Sequence, residues 1–275
     1  MNRSTLAGWL FWVLLIWSCW TVWPQQKHPD GLALSLSGAP RLLDRLQLPA
    51  DTRQVVLVLS KGWETPEGRL ELFQRVNASW ESTRSSWPIA LGKKGVAWGS
   101  GRFAAKVRLK PVKIEGDSRS PAGVFDFGDA FGYADTTPPG CRLPYRKARA
   151  VDYFVDDPAS PDYNQWVTLA DDSNHPSLRW NSFERMRLDT DHYRWGMVVR
   201  HNMSPILPGR GSAIFFHLWT TPGQPTAGCT AMAEKNLLGL LAWLDPRKDP
   251  LLIQVPQSLL AQLPDLIAVS AKTAE

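Results

Sequence analysis

A chain of 275 residues has room for one sizeable domain with its own buried core. Thirty-one Lys and Arg against 26 Asp and Glu leave a net charge of +5 with no dense basic tract, a balance that argues against nucleic acid as a partner and suits simple solubility. Three cysteines are too few for a disulfide-stapled scaffold, and the five histidines (28, 175, 192, 201, 217) lack metal-ligand spacing, so neither a metal nor a cofactor is expected.

In chain order, residues 6–23 are an apolar run behind the single positive charge of Arg3. The run reads as an export signal or an uncleaved membrane anchor, and its length and the lack of an Ala-x-Ala site favour the anchor. Tryptophans at 9, 12, 17, 20 and 23 suit a membrane interface. The expected organisation is 1–26 for this segment, 27–49 for a linker, 50–256 for the main domain and 257–275 for a C-terminal helix and tail. Strands are expected at 54–59, 70–76, 123–127, 196–200, 212–219 and 251–255, where β-branched and apolar residues cluster. Helices are expected at 234–244, with Leu237, Leu240, Leu241 and Leu244 on one face, and at 257–262, with a turn at 184–187. Twenty Gly and 22 Pro mark many turns, and residues 129–165 read as a long irregular excursion of the kind that covers or carries a site. The fold class is a β-rich α+β domain with mixed sheets, a few short helices and this long active-site loop.

The most chemical stretch is FFHLWTTPGQPTAGCTAM, residues 215–232. His217 ends an apolar strand-like run, and Cys229 follows twelve residues later. A thiol becomes a nucleophile when a nearby imidazole or a helix N-terminus lowers its pKa, and both are expected here, because helix 234–244 follows closely. Gly228 suits a tight turn whose N–H groups face a ligand. Upstream, Glu115, Asp117 and Arg119 are candidates for a groove that recognises amines and carboxylates, and Asn202 either orients the histidine or closes a turn. Cys141 is assigned no role.

These residues carry a resemblance. The histidine on a strand followed by Thr-x-Gly-Cys, together with the segments KIEGDSRSPAGVFDFGDAFGY (113–133), VDDPASPDYNQW (155–166), YRWGMVVRHN (193–202) and PGRGSAIFFH (208–217), resembles the bacterial L,D-transpeptidase family, cysteine enzymes that remodel peptidoglycan. It covers roughly residues 50–256. The resemblance implies an acyl-enzyme on Cys229, His217 as the base held by a backbone carbonyl, and an oxyanion site at the Gly228 and Cys229 amides. It places Thr226 near the histidine or the substrate, and Arg119 and Tyr133 at the site. It also implies peptidoglycan stem peptides as the partner, and the apolar run at 6–23 puts the expected domain outside the cytoplasm, periplasmic or facing the cell wall. This chain departs from many members in having Ala227 and Ala231 where they carry a histidine and an arginine or asparagine. Arg119 and Arg200 are the candidates to supply the missing cationic contact. Cross-linking, hydrolysis as an L,D-carboxypeptidase, attachment to a lipoprotein amine and a catalytically silent wall-binding module all remain open, as does the oligomeric state.

Overall fold

The computed structural model describes residues 39–170 and 175–272. The expected signal or anchor at 1–26 and the first part of the linker lie outside them. Among the described residues, no helix is long and apolar enough to cross a membrane.

Strand β1 (Gln54–Ser60) carries the run VVLVL and is buried along its whole length, as a central strand should be. It pairs antiparallel with β2 (Glu67–Val76), which turns at Asn77 into β3 (Ser79–Ala90). In chain order follow β4 (Val96–Trp98), β5 (Phe103–Ala105), β6 (Ser120–Gly132), β7 (Tyr145–Lys147), β8 (Asp152–Val155), β9 (Trp166–Thr168), β10 (Phe183–Arg185), β11 (Trp195–Val199), β12 (Phe215–Leu218), β13 (Thr230–Met232), β14 (Leu251–Pro256) and β15 (Ile267–Val269).

Ten strands form one mixed sheet, with the order β11-β12-β13-β3-β2-β1-β14-β6-β4 and β7 beside β6. Strand β6 is long enough to pair with β14 through residues 123–126 and with β11 through residues 127–132, so the order closes on itself. A three-stranded sheet, β10-β8-β9, and the pair β15-β5 complete the strands.

The helices are short. Helix α1 (Ala39–Arg45) buries Leu42 and Leu43 and packs against β3, so the second half of the expected linker belongs to the folded domain. Helix α2 (Glu234–Trp243) buries Leu237, Leu240 and Leu241 at the spacing read from the sequence. At 257–262 a 3-10 helix replaces the expected α-helix and runs into α3 (Leu263–Leu266).

Two other expectations are corrected. The stretch 129–165 is not irregular throughout, because it carries the end of β6 and all of β7 and β8. The expected turn at 184–187 begins within β10, which pairs with β8. Behind the site lies an aromatic cluster: Phe215 meets Phe131, Phe154 and Tyr193 edge-on, with ring centroids 5.4, 5.0 and 5.6 Å apart. Edge-to-face pairs of this kind add about 0.5–1.5 kcal/mol each beyond area burial, so they hold β12 firmly in register.

Candidate active site

Strands β12 and β13 run parallel, with Phe216 opposite Thr230 and His217 opposite Ala231. Extending that register by one residue sets Cys229 beside Phe215, on the face that His217 occupies, because alternate residues share a face. Cys229 and His217 are therefore diagonal neighbours, and both line one cavity of about 150 Å³ with Glu184, His192, Tyr193 and Thr226.

The turn that delivers Cys229 is pinned from both sides. Thr226 N–H donates to the Leu91 carbonyl at 2.9 Å, and Lys93 N–H donates to the Thr226 carbonyl at 2.9 Å. The Thr226 hydroxyl donates to the Cys229 carbonyl at 2.7 Å and accepts from Gly228 N–H at 3.1 Å. Buried Ser120 donates to the same Cys229 carbonyl at 3.0 Å while accepting from Gly92 N–H at 2.9 Å. Two hydroxyls thus fix the peptide plane that follows Cys229. Gly228 fits because an added Cβ would stand 3.1 Å from the Arg119 carbonyl oxygen.

The electrostatics differ from the expectation. The Cys229 thiol donates to the Ala213 carbonyl at 3.4 Å and accepts from Phe215 N–H at 3.3 Å, and among the described residues no hydrogen bond joins it to His217. Burial, with Glu184 nearby, pushes the thiol pKa well above its usual value, and the Phe215 N–H opposes this only in part. The helix dipole does not help. The three residues of β13 and the extended N-cap Ala233 separate Cys229 from α2, a gap of roughly 13 Å at about 3.3 Å per residue, and the dipole acts within a turn of the helix end.

Burial also depresses His217 to about 4, so its imidazole is neutral at pH 7. Its Nδ1 lies 2.9 Å from the Leu218 carbonyl, which can only accept, so Nδ1 carries the proton and Nε2 is the free base. The Tyr193 ring meets the imidazole edge-on at 5.4 Å, and His192 lies 6.2 Å away.

The remaining sequence candidates are dispersed. Arg119 is spent on the carbonyls of Trp63 and Val96 and on Glu64, so only its backbone reaches the site, beneath Gly228. Arg200 and Asn202 line a different cavity, of about 580 Å³, bounded by Trp98, Arg102 and Asp249. Asn202, at φ 54°, bonds Leu207 and Gly211 and closes a turn, and does not orient the histidine. Tyr133 donates to the Thr190 carbonyl and accepts from Leu188 N–H, holding the segment that leads to His192 and Tyr193. Glu115 bonds Tyr163 and Ser212, and Asp117 pairs with Lys113.

Sequence reasoning missed Ser120, Glu184, His192 and Tyr193. Ser120 and Tyr193 stand within the segments that carried the resemblance, while Glu184 looked like a turn charge and nothing in its neighbourhood marked it.

The family model for the YkuD L,D-transpeptidase catalytic domain matches residues 65–253. No curated protein and no solved structure matches the chain.

Proposed function

Since the chain belongs to the family of YkuD L,D-transpeptidase catalytic domains, which act on peptidoglycan, we propose that it is an acyltransferase on peptidoglycan stem peptides with Cys229 as nucleophile and His217 as general base. The observation that carries this reading is the shared cavity: a cysteine on a pinned turn and a neutral imidazole with Nε2 unprotonated, on one face of adjacent strands.

The thiol leaves its bonds to Phe215 and Ala213, gives its proton to Nε2 and attacks the stem carbonyl. Collapse expels the leaving amine with that proton, and a thioester remains on Cys229. Because Gly228 N–H is occupied by Thr226, the Cys229 amide is the better oxyanion donor of the pair. An amine of a neighbouring stem then accepts the acyl group and forms a cross-link. Water in its place makes the enzyme an L,D-carboxypeptidase. On this reading the domain works outside the cytoplasm, with residues 1–26 serving as signal or anchor.

One observation favours a second reading. A thiol bonded to the backbone, with a raised pKa and no bond to His217, suits a wall-binding module that keeps the groove without the chemistry. Incubation of the full chain with purified muropeptides, followed by mass analysis of products, separates the readings. Cross-linked dimers are expected, trimmed stems alone give the carboxypeptidase, and unchanged muropeptides that still bind give the silent module.

A further inference from the structure

The cavity around Cys229 has an acid in its wall that the first half of the reaction does not use. Glu184 lies on β10, in the sheet β10-β8-β9, and comes to Cys229 and His217 from outside their own strands. The Tyr193 hydroxyl donates to its Oε2, and the side chain is half-buried at the cavity wall. Among the described residues that line this cavity there is no Lys or Arg, so the protein itself places no permanent counter-charge there. A partly desolvated carboxylate with no cation lining its cavity favours an incoming positive charge.

The surroundings fit such a role. Burial, reinforced by Asp156 and Glu115, pushes Glu184 up to about 7, against the Tyr193 hydrogen bond that lowers it. Of the titratable groups around it, Cys229, His217 and Tyr193 are uncharged at neutral pH, and His192 lines the same cavity. A carboxyl that exchanges its proton near neutrality is suited to general acid–base work.

We propose that Glu184 receives the ammonium of the acyl acceptor and takes its proton, serving the second half of the reaction as His217 serves the first. This rests on the acyl-enzyme reading above. The ammonium gives one proton to the Glu184 carboxylate, and the neutral nitrogen attacks the thioester carbon on Cys229. The C–N bond forms and the C–S bond breaks. His217 Nε2 takes the surplus proton of that nitrogen and returns it to the departing sulfur, so an amide and the free thiol result. Glu184 then releases its proton to water.

The test is the partition of one acyl-enzyme between two nucleophiles that differ in charge: a muropeptide with a free amine, which arrives as an ammonium, and hydroxylamine, which is neutral at pH 7. In the full chain, Glu184→Gln keeps an acceptor for the Tyr193 hydroxyl and removes the base. Its ratio of amide to hydroxamate should fall roughly tenfold or more, as for loss of a general base. Tyr193→Phe removes a bond that lowers the Glu184 pKa, so the pH profile of amine transfer should move upward while hydroxylamine transfer keeps its profile. An unchanged partition ratio in Glu184→Gln, whether both acceptors slow together or neither does, overturns the proposal. Absence of any acyl adduct on Cys229 in the wild type overturns the parent reading, and this one with it.

Discussion

Ser120 is one of the two hydroxyl residues that hold the Cys229 turn, and its replacement has two separable consequences. The hydroxyl is fully buried and bridges Gly92 N–H to the Cys229 carbonyl. In Ser120→Ala the Cys229 carbonyl keeps Thr226, but Gly92 N–H is left buried without its acceptor. An orphaned buried donor costs about 1–3 kcal/mol. For a domain of this size each kcal/mol lowers Tm by about 2–4 °C. Thermal unfolding should therefore show a drop of roughly 2–12 °C. Acylation of Cys229 should slow more than the lost stability explains, because one of the two anchors on its peptide plane is gone. Thr226→Val removes the other anchor, and the two substitutions together should depart from additivity by about 0.5–3 kcal/mol, as residues sharing one network do. An unchanged Tm and strictly additive rates would refute the idea that these hydroxyls act together on the turn.

Cys229→Ala should abolish turnover and leave the fold intact, and Cys141→Ser should leave turnover unchanged, as product mass analysis and thermal melts would show. Iodoacetamide should alkylate Cys229 more slowly than a model thiol at pH 7 and accelerate as pH rises, since burial raises the thiol; a fast, pH-independent reaction would mean a resting ion pair with His217. Acid should destabilise the domain: His201 and His217 are held to about 4, so the stability present above about 6.5 is lost as pH falls through 4. Glu184, raised to about 7, acts in the opposite sense, so urea unfolding between pH 6.5 and 4.5 should show a net slope of about 1.4 kcal/mol per pH unit, steeper in Glu184→Gln. Arg119→Ala should lower Tm, because its guanidinium ties the Trp63 and Val96 carbonyls together, without changing preference between free and amidated stem carboxylates.

The strands with dense apolar runs, β1 and β14, and helix α2 were legible because a single periodicity decides each of them. Strand β3 was not. Its sequence SWESTRSSWPIA is polar and holds a proline, and it is a strand because β2 and β13 flank it and because Trp80, Ile89 and Ala90 are buried. The pairing of His217 with Cys229 could be read from their residue types and order alone. The state of the thiol could not, because the groups that bury it, Phe131, Phe154, Tyr193 and Val198, come from strands and turns far apart in the chain. For the same reason Arg119 read as a substrate contact: the carbonyls that occupy it belong to residues 63 and 96. Glu184 had no local signal, since a lone acid next to Arg185 resembles any solvated turn until β10 is set against the cavity.

The central claim is that Cys229, with a proton accepted by His217, carries the acyl group of a peptidoglycan stem. Intact-protein mass spectrometry of the full chain, quenched in acid during turnover of purified muropeptides, reads this directly. The account predicts an added mass equal to the donor acyl fragment, mapped by digestion to the peptide containing Cys229, absent from Cys229→Ala and formed roughly a hundredfold more slowly in His217→Gln. Turnover of muropeptides without any adduct on Cys229, or equal adduct formation with and without His217, would contradict it.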